Sequence, residues 1–158
     1  MSDFTHINEQ GKATMVDVGE KMPTKRTATA RSIISVPPLV LEKLTNGDIQ
    51  TKKGAVFQTA IIAGIMGAKK TGELIPLCHP IGMDNCNIDI CVNGNGEIEI
   101  LCAASITAKT GIEMEALTGA SIAALTIYDM CKAMSHDIII KETMLIEKTG
   151  GKSDFRRK

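Results

Sequence analysis

Residues 110–133, TGIEMEALTGASIAALTIYDMCKA, carry the longest unbroken helical pattern in the chain. Its interior of Ala, Leu, Met and Ile has few charges, which predicts a helix buried on most sides. Thr110 and Glu113 have the spacing of a capping box, in which the hydroxyl takes an orphan N–H and the glutamate reaches back to the cap. A second helical pattern spans Gly54–Lys70, where Ala60, Gly64, Gly67 and Ala68 leave room for a close neighbour. Alternating positions predict strands at Ala13–Val18, Lys25–Val36, Asn85–Val92, Glu97–Thr107 and Asp137–Lys148. Asn93-Gly94-Asn95-Gly96 is a hairpin signal between two of them. Pro37-Pro38 opens a short helix over Leu39–Leu44 that Asn46-Gly47 closes. The β-α-β-β-α-β order predicts an α+β fold, a ferredoxin-like antiparallel sheet with two long helices packed on one face. A single domain over residues 1–158 is expected, with 1–12 and 149–158 irregular.

At 100° per residue, Glu115, Thr118, Ile122, Leu125, Asp129 and Lys132 share one face of the long helix. Glu115 and Asp129 are nonetheless about 21 Å apart along the axis, at 1.5 Å per residue. One copy of the helix cannot bring both to one site. Two copies crossing antiparallel about a twofold axis would set Glu115 of one near Asp129 and Lys132 of the other. Asp129 and Lys132 also fit an ordinary i,i+3 ion pair. Burial beside Tyr128 would raise the Asp129 pKa unless Lys132 offsets it.

Composition narrows the functions. With 18 basic and 18 acidic residues the net charge is zero, so no global field favours nucleic acid. Three Phe, one Tyr and no Trp leave no stacking platform for single strands. An odd count of five cysteines, without a CxxC or a targeting segment, points to reduced thiols and a cytoplasmic location. No ligand pairs have structural-zinc spacing, and no apolar run reaches membrane-spanning length.

Ile75-Pro76-Leu77-Cys78-His79-Pro80 is the most unusual short segment. Its prolines stiffen the chain and present His79 rigidly. Cys78 and His79, as neighbours on an extended chain, point apart and make a poor nucleophile–base pair. His79 suits donation to an anion or proton carriage, against the alternative of a turn histidine without a task. Lysines recur beside glycine, at Lys53-Gly54, Lys109-Thr110-Gly111 and 148–152 (KTGGK). Two of these precede helices, whose free N–H groups attract anions. Gly64–Thr71 lacks the second glycine of a P-loop and is helical, so that motif is rejected. These residues point to a site for a phosphate-bearing small molecule.

THINEQGKATMVDV, KGAVFQTAIIAGIMGAKKT, LIPLCHP, KTGIEMEALTGAS, ALTIYDMCKA and EKTGGKSDF occur in that order from Thr5 to Phe155. On these motifs the chain resembles the MoaC family of cyclic pyranopterin monophosphate synthases in molybdenum cofactor biosynthesis. The resemblance implies a phosphorus–oxygen lyase that converts 3′,8-cyclo-7,8-dihydro-GTP to cyclic pyranopterin monophosphate and releases pyrophosphate. It implies catalytic roles for Asp129, Lys53 and Lys132. It places Leu77, Cys78, His79, Met114 and Glu115 on substrate-binding segments, with Glu113, Arg26 and Lys148 at further polar positions. It implies a homohexamer, a trimer of dimers with sites at the dimer interface. No metal cofactor is implied, Mg²⁺ being expected only as a companion of the triphosphate. One departure is visible: the family reads GGKSGDF where this chain has GGKSDF, which bears on Lys152. The rival readings are a non-catalytic nucleotide-binding domain and an assembly scaffold.

Overall fold

The computed structural model describes residues 10–158. Strand β1 (Thr24–Ser35) is followed by a one-turn helix α1 (Pro38–Leu41) and three short strands, β2 (Leu44–Thr45), β3 (Asp48–Thr51) and β4 (Gly54–Ala55). Helix α2 (Val56–Lys69), a single turn α3 (Thr71–Leu74), β5 (Asn85–Val92), β6 (Ile98–Ala108), α4 (Glu113–Cys131), β7 (Ile139–Thr149) and β8 (Phe155–Arg156) complete the order. The main sheet runs β5-β6-β1-β7-β8 with every neighbouring pair antiparallel. With α2 and α4 as the two long helices, β1-α2-β5-β6-α4-β7 is the ferredoxin-like layout.

The inward positions of β6, Ile98, Ile100, Cys102, Ala104 and Ile106, are all buried, as are Ala28, Ala30 and Ile34 of β1. Alternation of period two puts these on one face, where the helices cover them. Small residues let α2 and α4 meet at backbone distance. A Cβ on Gly64 would lie 2.8 Å from the carbonyl of Gly119, and one on Gly119 would lie 2.6 Å from Cys102 Sγ. The expected close neighbour of the α2 glycines is therefore α4 itself.

Four local expectations are corrected. Ala13–Val18 is irregular apart from a single bridge at Ala13, because the segment crosses the surface without a paired strand. Asn46-Gly47, both at positive φ (53° and 80°), closes the β2–β3 hairpin instead of a helix; paired positive φ is what a two-residue hairpin turn requires. The cap of α4 is Ile112, with no side-chain hydrogen bond, so Thr110 and Glu113 form no capping box. Glu113 turns to Lys148 instead. In the tail, Phe155–Arg156 pairs with β7 as an edge strand. The tight turn before it is held by the Asp154 carboxylate, which accepts the N–H of Gly150 at 3.0 Å.

Candidate active site

The site residues fall into two groups at opposite ends of α4. At its C-terminal end, Asp129 is held between two ammonium groups. Lys132 Nζ lies 2.7 Å from Asp129 Oδ1 and Lys53 Nζ lies 3.0 Å from Oδ2. Lys53 also donates to the main-chain carbonyl of Asp129 at 3.3 Å, near the negative end of the helix dipole. The Asp129 side chain is 55% exposed. Hydrogen bonds from Lys132, then from Lys53, hold its carboxyl below the usual aspartate range. Of the alternatives open for Asp129, the i,i+3 ion pair with Lys132 is the one found: the turn faces inward through Ile127 and Met130, and Asp129 faces out. Lys132 in turn is raised, chiefly by its bond to Asp129.

At the other end of α4 lies a cleft of about 390 Å³. Glu113, Met114 and Glu115 enter it from the first turn of the helix, and Leu77, Cys78 and His79 from the proline-flanked loop. Arg26 and Lys148 enter from β1 and β7, and Lys152 from the shortened tail turn. Arg26 is fixed by donating Nε–H to the Ala108 carbonyl (3.0 Å) and Nη2–H to that of Lys109 (3.2 Å). Lys148 pairs with Glu113 at 3.1 Å.

Glu115 is 4% exposed. Burial pushes its carboxyl up; its own N–H opposes this, and the charge of Glu113 adds to the rise. Burial, and secondarily the charge of Glu115, pushes the Cys78 thiol up. A thiol that is slow to ionise is a poor nucleophile, so Cys78 is suited to lining the cleft.

Val16, Val18 and Lys21, from the irregular segment before β1, also line this cleft. His79 Nε2 lies 2.8 Å from the Val16 carbonyl. A carbonyl only accepts, so Nε2–H donates this bond. Lys109 Nζ donates to the Gly19 carbonyl at 2.5 Å, which ties it to the same segment.

All eight residues expected at the binding site therefore share one cleft, and all three expected at the catalytic site share one cluster. The two groups do not meet within the chain. Glu115 and Asp129 are fourteen positions apart on one continuous helix, about 21 Å at 1.5 Å per residue.

Sequence reasoning missed two residues of interest. Lys21 lies on an irregular segment with no periodicity to mark it. Asp48, buried in β3, accepts the N–H groups of Phe57 (2.7 Å) and Gln58 (3.0 Å) at the start of α2. The α2 N-terminus, expected to attract a ligand anion beside Lys53, is thus occupied by the protein's own carboxylate. The Asn46-Gly47 turn signal, read as a hairpin, would have pointed to Asp48. Among the described residues, no three His, Cys, Asp or Glu side chains gather into a metal-holding group. No helix among them is long and apolar enough to cross a membrane.

Residues 15–151 match the MoaC family. The chain is 52% identical to a cyclic pyranopterin monophosphate synthase of Clostridium acetobutylicum, over 98% of this chain and 96% of that protein. It is 48% identical to one from Xanthomonas campestris, over 96% of this chain and 92% of that protein. It is also 49% identical to molybdenum cofactor biosynthesis protein 1 of Dictyostelium discoideum, over 96% of this chain but only 27% of that longer protein. The same unit therefore occurs both as most of a chain and as a portion of a larger one. A match over this much of the sequence, with both residue clusters inside it, shows that the chain belongs to the MoaC family.

Proposed function

We propose that the chain is a cyclic pyranopterin monophosphate synthase, converting 3′,8-cyclo-7,8-dihydro-GTP to cyclic pyranopterin monophosphate and pyrophosphate. The observation that carries this reading is Asp129 clamped between Lys53 and Lys132 in the last turns of α4. Asp129, held low, is ionised at neutral pH and serves as a proton acceptor during ring opening and closure. Lys132, held high, stays an ammonium and offsets charge developing on the departing pyrophosphate. Lys53 supports the same carboxylate from the opposite side. Arg26 and Lys148 in the cleft bind phosphate, and Glu113, Glu115 and the 77–79 loop orient the purine-derived rings.

One substrate requires both groups of residues, so a second copy completes each site. Ile62 (60% exposed), Met66 (55%) and Leu125 (55%) give the outer faces of α2 and α4 an apolar surface suited to burial in a dimer. An antiparallel crossing of two α4 helices sets the Asp129 end of one against the cleft end of the other. Three such dimers form the proposed hexamer. The enzyme works in the cytoplasm without a resident metal, and Mg²⁺ enters only with the triphosphate.

The test is incubation of purified protein with the cyclised dihydro-GTP, measuring pyrophosphate and, after oxidation, pterin fluorescence. Binding without either product would favour a nucleotide-binding domain. Absence of binding would favour a scaffold.

A further inference from the structure

We propose that Asp48 and Thr51 are positioning residues that set the Lys53 ammonium on Asp129. This rests on the reading above, in which the Lys53–Asp129 pair is catalytic. Lys53 sits in the two-residue loop between β3 and β4, whose last pairing is Thr51 with Gly54. Its long side chain is 53% exposed. Such a side chain has many rotamers and little packing to choose among them, so where its ammonium rests depends on how firmly its backbone is held.

Two devices hold that backbone. At the loop, the Thr51 hydroxyl accepts the N–H of Lys53 at 3.1 Å and donates to the Gly54 carbonyl at 3.1 Å, spanning the turn. Gly54 has φ +109°, a conformation that side chains rarely adopt. At the base, Asp48 joins β3 to the first turn of α2 through the N–H groups of Phe57 and Gln58. Ala55, the local cap, has no side-chain acceptor to offer. Helix α2 meets α4 at Gly64 and Gly119, and α4 carries Asp129. The hairpin that bears the lysine and the helix that bears the carboxylate are therefore registered against one shared element.

Asp48 is one of two buried carboxylates among the described residues, the other being Glu115. Glu115 lines the cleft, whereas Asp48 lies outside it and spends both oxygens on α2. A buried carboxylate with no part in the cleft has a role if it fixes the geometry of the remote cluster.

The test uses the full chain with Thr51→Val, Thr51→Ser and Asp48→Asn. It reads Asp129 by ¹³C NMR titration, and separately kcat and KM on the cyclised dihydro-GTP. Thr51→Val is expected to shift Asp129 titration upward toward that of Lys53→Ala, and Thr51→Ser to restore it. In the Lys53→Ala background, Thr51→Val should cause no further shift. kcat should fall by about ten- to a hundredfold with KM within about twofold. Asp48→Asn should move both readouts in the same direction. Asp129 titration unchanged in both Thr51→Val and Asp48→Asn would overturn the proposal, as would a shift that persists in full without Lys53. A wild-type protein that yields no product while the Asp129 titration responds as expected would sink the substrate assignment and leave the positioning intact.

Discussion

Lys53 Nζ and Asp129 Oδ2 lie 3.0 Å apart although 76 residues separate them in the chain. One stands in a hairpin loop and the other in the last turns of α4, and Lys132 closes on the second carboxylate oxygen at 2.7 Å. Exposed ion pairs of this kind add little to stability, so their function is the informative quantity. Asp129→Asn and Lys53→Ala should each lower product formation by about 10²- to 10⁴-fold, the range for a lost acid–base group. The melting temperature should stay within about 2 °C of wild type. Pyrophosphate release and thermal unfolding measured on the same preparations check both halves. Normal turnover in Asp129→Asn would move the chemistry to another group.

The separation of Glu115 and Asp129 along α4 leads to a complementation experiment. Arg26→Ala damages the cleft and leaves the Asp129 cluster whole, and Asp129→Asn does the reverse. If each site draws on two chains, a mixed dimer contains one intact site and one doubly damaged site. Random reassociation of the two inactive variants should then recover about a quarter of wild-type activity, because half the dimers are mixed and each has one good site of two. Mixtures as inactive as their components would place both clusters to work within one chain.

Much of this was legible from residue patterns. The two helices, the paired long strands and the 93–96 hairpin followed from periodicity and turn residues, because each element buries one face against the next. The membership of both clusters followed from the resemblance in the motifs around LCHP, TGIEMEAL and YDMCKA. Local patterning did not reveal which partner a polar group would choose. Glu113 has the spacing of a cap yet finds Lys148 on β7, a contact that exists only after the sheet has formed. Asp48 has no helical neighbour in sequence, yet it caps α2 across nine residues. The exposure of Asp129 likewise depends on which side of α4 the sheet occupies, and apolar residues on both sides of the helix hide that choice.

The contact between α2 and α4 makes a prediction about stability. Gly119→Ala would set a Cβ 2.6 Å from Cys102 Sγ, and Cys102 is fully buried. Relieving the overlap costs about 1–3 kcal/mol, which exceeds the ~1 kcal/mol that Ala gains over Gly inside a helix. The melting temperature should fall by several degrees, at roughly 2–4 °C per kcal/mol for a chain of this length. Gly82→Ala is the control, since nothing lies within 4 Å of a Cβ there and its φ is not positive. Equal melting temperatures for the two variants would show that the helices adjust freely at their crossing.

Glu115 and Asp129 should give opposite pH dependences of stability. Burial raises the folded-state pKa of Glu115, so the folded chain holds that proton more tightly than the unfolded one. Below the ordinary glutamate value, about 4.3, both states are protonated and Glu115 costs nothing. As pH rises, the unfolded chain releases its proton first, and stability falls until the folded carboxyl has also ionised. Glu115→Gln removes that loss. It should raise the melting temperature at pH 8 on the order of 2–4 °C, the shift that about 1 kcal/mol produces, and change it little at pH 3. For Asp129 the sign reverses, because its lysine partners depress the folded-state pKa. The stability it supplies is present above the ordinary aspartate value and disappears as pH falls through the folded one. Asp129→Asn should therefore show its small loss only on the neutral side. Melting curves of both variants at the two pH values decide the matter. A Glu115→Gln gain that is the same at pH 3 and pH 8 would mean that packing, rather than the cost of a buried charge, governs that position.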